Sequence, residues 1–188
     1  MSSSNRLQFA QFVPEDRDEL IEIIRLKAVT PPNDKALRYD PYLNGDRSFE
    51  RLRHDLIPFV RKVMNDENLW ISRDLWGLRY TDNKDVCPHN HLIAKWNAVL
   101  YLRVDSGSGK LYYRDPDLEI TPQTGMLLIA SPDWTHGVYK NEPSFDEINR
   151  YCIPMNIHDK RDIAAAQQNA DTTPYQNTYG QYTLDEPI

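Results

Sequence analysis

Three of the five histidines in this chain are spaced so that they could bind one metal ion. His89 and His91 are separated by one residue in the segment CPHNH, and His136 follows in SPDWTHGVY. Residues i and i+2 of an extended segment point to the same side, so two imidazoles at this spacing can bind one ion together. His136 lies at the end of a further predicted strand, and imidazole is a ligand of Zn, Cu, Fe and Ni. The spacing therefore predicts a metal site formed by these three side chains.

A second chemical signal is the arginine that begins the apolar segment RYCIPMNIH. With the period of two of a strand, Arg150, Cys152 and Asn156 share one face. A guanidinium that points into the protein needs a partner, and its planar fork fits a carboxylate with two parallel hydrogen bonds. The alternative is an arginine at the surface, paired with Asp146 or Glu147. Both interpretations remain open at the level of the sequence.

The elements that must position these side chains fall into two groups. Amphipathic patterns predict helices over about 14–29 and 48–65, with Pro58 expected to kink or break the second. Residues 30–46 are rich in turn formers and predict a loop. Short apolar runs separated by turn signals then predict an all-β core, a sandwich or barrel, with strands near 69–80, 95–104, 110–114, 118–120, 125–130, 136–139 and 148–157.

The length of 188 residues predicts a single domain, residues 1–188. We expect a helical N-terminal buttress over 1–68, a β core over 69–158 and a polar C-terminal tail over 159–188. The net charge of −6 lacks the basic footprint of a nucleic-acid-binding protein. No apolar run reaches the length of a membrane span, and the first residues lack the apolar core of a secretory signal. With only two cysteines, these features favour a cytoplasmic protein with free thiols.

Five segments, in this order along the chain, resemble the Fe(II)- and 2-oxoglutarate-dependent oxygenases. They match most closely a small, uncharacterised branch of that superfamily found in bacteria and phages. The resemblance covers about residues 69–158. The matching segments are His89-Asn-His91, the strand containing LYL (100–102), GKLYYRDP (109–116), ASPDWTH (130–136) and RYCIPMN (150–156).

The resemblance implies a mainly β protein with N-terminal helices and a double-stranded β-helix, or jelly-roll, core. It implies Fe(II) as the cofactor and 2-oxoglutarate as the co-substrate. His89 and His136 would be the first and the distal metal ligand, and His91 would occupy the position between them. Arg150 would bind the far carboxylate of 2-oxoglutarate, with Tyr101 as a second contact. Cys152 stands where many relatives carry a small residue beside the co-substrate.

One position departs from the family pattern. Most members have Asp or Glu at the second position of the short motif, so that two histidines and one carboxylate bind the metal. This chain has His91 there, and residues 92–104 contain no acidic residue. The resulting three-histidine site has one negative charge fewer than the usual set.

The function implied is that of a dioxygenase that hydroxylates a small molecule or a peptide. The side chains predicted for the substrate pocket are Trp96, Trp134 and Asn156. Trp70 and Trp76 are further candidates for its walls, although core packing accounts equally for tryptophans. Loops 30–46, 81–88 and 140–147 are expected to select the substrate.

Three other interpretations compete with this one. A cupin-like metal-binding protein uses a similar jelly roll and histidine pattern, but it usually adds a glutamate where this chain has Lys95 and Trp96. A structural zinc site could use Cys87, His89 and His91, which alternate along one strand face. A jelly roll whose site has decayed could serve a structural role. The two other histidines, His54 and His158, are expected to be solvent-exposed.

Overall fold

The structure is a computed structural model, and it describes residues 6–30, 36–41, 45–81, 85–92, 94–142 and 149–162, without the side chains of 72–74. These residues form two helices and eleven strands. The expected polar tail lies outside the described residues from position 163 onward. No described helix combines the length and the apolar character that a membrane-spanning segment needs.

The two predicted helices are present as α1 (Arg17–Lys27) and α2 (Arg47–Met64). The side chain of Asp46 caps α2 by accepting a hydrogen bond from the backbone N–H of Ser48 at 3.1 Å. Pro58 was expected to kink or break α2; the helix continues through it, so the break is absent and the kink stays a prediction. Pro58 lies on the exposed side of α2, where water can reach the carbonyl group that proline leaves without a donor.

The strands form two antiparallel sheets. In the large sheet the order is β1-β9-β6-β11-β4-β2, and β3 also pairs with β11. In the small sheet the order is β5-β10-β7-β8. The strands are β1 (Leu7–Gln11), β2 (Leu37–Tyr39), β3 (Leu69–Leu75), β4 (Gly77–Tyr80), β5 (Val86–His89), β6 (Trp96–Val104), β7 (Leu111–Tyr113), β8 (Leu118–Ile120), β9 (Met126–Ala130), β10 (His136–Val138) and β11 (Arg150–Asp159).

Two apolar layers lie on opposite faces of the large sheet. Alternate residues of β6 separate them: Leu100 packs with the helices, whereas Tyr101 packs between the sheets. Gly77 lets α1 approach the sheet, since a Cβ there would lie 2.5 Å from the side chain of Ile24. The helices therefore cover one face of the large sheet, and the small sheet covers the other.

The sequence did not predict every strand. β1 pairs with β9, so the segment before residue 69 contributes strands as well as helices to the structure. The run expected over 69–80 is two strands, β3 and β4, interrupted at Trp76. The N–H of Trp76 donates to the carbonyl of Pro154 in β11 at 3.2 Å. At this break Trp76 lies between the sheets, where it packs against the apolar core and lines the cavity.

The expectation for His158 is wrong, and that for His54 is confirmed. His158 lies within β11, which extends further than predicted, and is 8% exposed. His54 lies on the solvent side of α2, near the carboxylate of Glu50 at 3.4 Å. Neither histidine belongs to the cluster formed by His89, His91 and His136.

Candidate metal and co-substrate site

The three predicted histidines lie on two neighbouring strands and the turn that follows one of them. His89 is the last residue of β5 and His136 is the first residue of β10, and the two are paired directly across the antiparallel strands. The backbone N–H of His91 donates to the carbonyl of Pro132 at 3.0 Å. Strand pairing thus places two of the imidazoles, and a loop hydrogen bond anchors the backbone of the third.

The three imidazole rings converge on one point. One ring nitrogen from each histidine lies within 4.8 Å of the others. The ring centroids are 4.5 Å apart for His89 and His136, 5.1 Å for His89 and His91, and 5.3 Å for His91 and His136. The structure therefore brings together the residues that the sequence spacing selected.

Backbone carbonyl groups set the tautomers of two of these histidines. Nδ1 of His89 lies 3.0 Å from the carbonyl oxygen of Cys87, and Nδ1 of His136 lies 3.1 Å from that of Trp134. A carbonyl oxygen can only accept, so each Nδ1 carries the hydrogen and each Nε2 keeps its lone pair. Burial, with the neighbouring His89, lowers the pKa of His136 to about 4. His136 is thus neutral at pH 7, the form that binds a metal ion.

Nitrogen atoms alone make up this cluster within the part of the chain that the structure describes. The thiol of Cys87 is exposed and does not belong to the cluster, so the alternative of a zinc site from Cys87, His89 and His91 lacks its cysteine. An all-imidazole set suits Fe, Ni, Cu and Zn better than Mg, Ca or Mn.

A cavity of about 440 Å³ runs between the sheets from the histidines to Arg150. Its exposed end, the mouth, lies at His89 and Arg38. Apolar and aromatic side chains form most of the wall. The lining includes Arg38, Trp76, Leu78, Tyr80, Asp85, His89, His91, Asn97, Tyr101, Leu111, His136, Val138, Arg150 and Cys152.

Arg150 is 1% exposed, and its charge meets only uncharged partners among the described residues. Its Nη1 donates to the carbonyl oxygen of Gly109. Its guanidinium carbon lies 3.9 Å from the ring centroid of Tyr80, a cation–π contact. Nε and Nη2 are buried and meet no hydrogen-bond acceptor in the part of the chain described. The alternative partners Asp146 and Glu147 lie outside the described residues.

The free edge of Arg150 fits an anion. Nε and Nη2 lie along one edge of the planar guanidinium group, and their N–H groups can bind both oxygens of a carboxylate. A buried donor without an acceptor costs about 1–3 kcal/mol, and more when the donor is charged. A ligand carboxylate in the cavity would remove that cost.

Tyr101 and Cys152 line the cavity beside Arg150 and are paired with each other across β6 and β11. Burial raises the pKa of the Tyr101 phenol well above its usual range, although the Arg150 charge opposes the shift. Burial likewise raises the pKa of the Cys152 thiol to about 12. Both groups therefore stay protonated at neutral pH, so Tyr101 can donate a hydrogen bond and Cys152 is not a nucleophile.

The three residues predicted for the substrate pocket do not line this cavity. Trp96 packs against the core between the helices and the large sheet. Trp134 packs between the sheets and meets Tyr113 edge-on at 5.3 Å. Asn156 is buried in β11 opposite Asn97, and it is Asn97 that reaches the cavity. Both indoles thus pack against the apolar cores, and so does that of Trp70.

Two charged residues at the mouth, Arg38 and Asp40, were not predicted from the sequence, whereas Trp76 was a candidate for a pocket wall. The guanidinium of Arg38 binds the carboxylate of Asp40 at 2.8 Å and lies 4.7 Å from the ring of Trp76. Trp76 in turn stacks towards His91 at 6.3 Å and 18°. Arg38 belongs to β2, within the segment 30–46 that was expected to be a loop. The expected loop 81–88 supplies residues 85–88 of the lining, of which residues 86–88 belong to β5. Most of 140–147 lies outside the described residues.

The fold is that of known oxygenases. No family model matches the sequence, and no curated protein is similar enough to match. HygX from Streptomyces hygroscopicus, solved with nickel and 2-oxoglutarate bound, is 13% identical with a TM-score of 0.61, covering 83% of this chain and 87% of that one. A 2OG-Fe(II) oxygenase family protein from Burkholderia pseudomallei is 11% identical with a TM-score of 0.63, covering 81% and 84%.

A third similar structure is the viral collagen prolyl hydroxylase of Paramecium Bursaria Chlorella virus-1, solved as a 2OG complex. It is 12% identical with a TM-score of 0.57, and the alignment covers 81% of this chain and 95% of that chain. The resemblance found in the sequence is thus confirmed at the level of the fold.

Proposed function

We propose that this protein is a non-haem dioxygenase that uses Fe(II) and 2-oxoglutarate, with a double-stranded β-helix core, and that it hydroxylates a small molecule or a peptide. One observation carries the proposal. A three-histidine cluster and a buried arginine with two free donors face the same cavity. The fold shared with Fe(II)- and 2-oxoglutarate-dependent oxygenases supports it.

The residues present fit both groups. Nε2 of His89 and of His136 would bind the metal, with His91 as the third ligand. Arg150 would bind the distal carboxylate of 2-oxoglutarate through Nε and Nη2, and the Tyr101 hydroxyl would donate a further hydrogen bond. Cys152 forms a small, uncharged wall beside that carboxylate.

Bound iron and 2-oxoglutarate would supply the activation of dioxygen, in which one oxygen atom of O2 goes to succinate as carbon dioxide is lost and the other hydroxylates the substrate. The chain itself orients and protects. Arg150 fixes the far end of the co-substrate, so its reactive end is held at the histidines. Leu78, Leu111 and Val138 make the wall apolar and exclude water. The substrate would enter at the mouth, past Arg38 and Trp76.

The competing functions explain less of the site. A cupin-like metal protein has no need of a buried arginine with free donors in the metal cavity. A decayed site has no reason to keep the imidazole tautomers fixed by Cys87 and Trp134 carbonyl groups. The missing carboxylate at His91 is compatible with either alternative, so the test must measure co-substrate binding directly.

The test is anaerobic titration of the protein with Fe(II) and then 2-oxoglutarate. We expect a visible charge-transfer band in wild type that is absent with Fe(II) alone. In Arg150→Ala the affinity for 2-oxoglutarate should fall at least about tenfold, since a hydrogen bond to a charged group contributes about 1.5–3 kcal/mol. Arg150→Lys keeps the charge without the fork and should also weaken binding.

Arg103 provides the matched control for this test. It lies on β6 with its side chain half exposed and paired with Asp105 at 2.8 Å. Arg103→Ala should leave the affinity unchanged. Unchanged affinity in Arg150→Ala would remove the main support for an oxygenase.

A further inference from the structure

The charges around the histidine cluster are unbalanced. Its three nitrogen ligands are neutral when they bind a metal ion, so a divalent ion would keep its full +2 charge. Of the residues known to line the cavity, Asp85 alone is acidic, and its oxygens lie outside the cluster. At the mouth, the charge of Arg38 is offset by Asp40.

Arg150 adds a second positive charge to the same cavity. It is more deeply buried than the histidines, and its described contacts are a carbonyl oxygen and an aromatic ring, neither of which carries a charge. Buried charges are costly unless they are paired. Metal binding without an anion would therefore place a charge of +2 in the same cavity as an arginine that has no carboxylate partner among the described residues.

We propose that His91 makes metal binding depend on the co-substrate: the dianion of a 2-oxo diacid supplies the negative charge that a carboxylate at position 91 would otherwise supply. This inference rests on the proposed function. The metal end of the dianion would offset part of the ion's charge, and its far end would offset that of Arg150. Each ligand then strengthens the binding of the other.

Linkage fixes the form of this coupling. If 2-oxoglutarate raises the affinity for the metal by some factor, the metal raises the affinity for 2-oxoglutarate by the same factor. Coupling of two sites commonly amounts to roughly 5- to 150-fold. Because a carboxylate at position 91 would already lower the charge at the ion, it should raise metal affinity and reduce the factor.

The experiment measures Ni²⁺ affinity by calorimetry, without and with saturating 2-oxoglutarate, in wild type, His91→Asp and His91→Asn. The two variants have nearly the same shape and differ by one charge, so their comparison isolates charge from the loss of the imidazole. A second pair, His91→Glu and His91→Gln, repeats the comparison with a longer side chain in case the shorter one does not reach the ion. Asp85→Asn tests whether the carboxylate in the wall contributes.

We expect wild type and His91→Asn to show a large coupling factor. His91→Asp should bind Ni²⁺ alone more tightly than His91→Asn does, and its coupling factor should be at least fivefold smaller than that of wild type. Asp85→Asn should keep the wild-type factor. Equal factors in wild type and in both acidic variants would overturn the inference and leave the proposed function standing. Loss of the coupling in Asp85→Asn would also overturn it. Wild-type protein that binds Ni²⁺ but not 2-oxoglutarate would overturn both.

Discussion

At the scale of single residues, the proposed metal ligands are oriented by the backbone rather than by acidic side chains. His89 and His136 each face a carbonyl oxygen two residues earlier in the chain. A carbonyl orients the ring as a carboxylate would, but it adds no negative charge. The rings of His89 and His136 are therefore well oriented, but the three imidazoles supply no negative charge to a metal ion. This agrees with a site completed by an anionic co-substrate.

The first residue-scale prediction concerns His136. His136→Ala removes the buried ligand of the cluster, so binding of Ni²⁺ should fall at least about tenfold because ligand mutations disrupt the coordination set. His54→Ala is the matched control, since His54 lies on α2 and is exposed. Metal content after dialysis, measured by elemental analysis, checks both variants. Equal metal content in His136→Ala and wild type would show that the ion binds elsewhere.

The second concerns the phenol next to Arg150. Tyr101→Phe keeps the ring and removes one protonated donor, so we expect 2-oxoglutarate affinity to fall by about tenfold, or about 1.4 kcal/mol. Tyr112→Phe serves as the control, because the ring of Tyr112 stacks on the exposed Tyr139 at 4.4 Å. Calorimetry with Ni²⁺ present measures both. A Tyr101→Phe protein with wild-type affinity would mean that Arg150 alone recognises the far carboxylate.

The spacing of His89 and His91 was enough to predict that they act together, and the apolar segment around Arg150 was enough to single it out. The charge balance of Arg150 could not be predicted, because its partners Gly109 and Tyr80 come from distant parts of the sequence. The sequence also did not show that Trp96 and Trp134 pack against the apolar cores and do not line the cavity. An indole fits a core and a pocket wall equally well. Of the tryptophans in the described residues, Trp76 is the one that lines the cavity, and it does so at the break between β3 and β4.

At the scale of elements, the pairing of β5 with β10 decides whether the ligands meet. Gly137 is the middle residue of β10, which lies between β5 and β7, and a Cβ there would stand 2.8 Å from the carbonyl oxygen of Val86 and 2.5 Å from the hydroxyl of Tyr112. The Tyr112 side chain can move aside, but the backbone of β5 cannot move without shifting His89. The glycine therefore keeps the two strands close enough for the ligand pair.

Gly137→Ala should accordingly weaken metal binding and lower stability together. Crowding of a packed site costs about 1–3 kcal/mol, and the shift of β5 should separate His89 from His136. Urea unfolding and Ni²⁺ calorimetry measure the two effects. The double variant Gly137→Ala/Tyr112→Ala removes the contact with the phenol and should recover stability only in part. Normal metal affinity in Gly137→Ala would show that β5 tolerates displacement.

Strand prediction succeeded for the central strands and for the edge strand β8, and it failed at the edge strands β1, β2 and β5. β6 and β11 are long, apolar and buried, so their sequences carry a clear signal. β5 contains Pro88, and its short sequence carries no such signal, although it ends at one of the three clustered histidines, His89. β1 is an edge strand with alternating exposure, and its pairing with β9 depends on residues more than 100 positions away.

At the scale of the whole molecule, an ion-pair network connects the end of β11, the start of β6 and the segment after α2. Lys95 precedes β6 and lies 2.6 Å from Asp159 at the end of β11 and 2.9 Å from Asp66 after α2. Arg161 binds Asp159 from the other side. The order of the five motifs along the chain led to the fold, but nothing in their spacing showed that these chain segments converge.

Asp159→Asn tests this network through its pH dependence. Hydrogen bonds from Arg161, and then from Lys95, hold the pKa of the Asp159 carboxyl well below its usual range, although burial opposes the shift. A carboxyl whose pKa is lowered by folding stabilises the protein above its unfolded value, near 3.9, and loses that contribution as the pH falls towards the folded value. The variant should therefore be less stable than wild type by about 1–2 kcal/mol at pH 7, a modest cost because Lys95 and Arg161 stay partly in water. Below about pH 4 the gap should narrow as wild type loses the same contribution.

Urea midpoints at pH 7 and pH 3 give both values, with Asp117→Asn in an exposed turn as the control that should match wild type at either pH. A gap that stays constant between the two pH values would mean that the amide disturbs packing around β11 rather than removing a charge from the network.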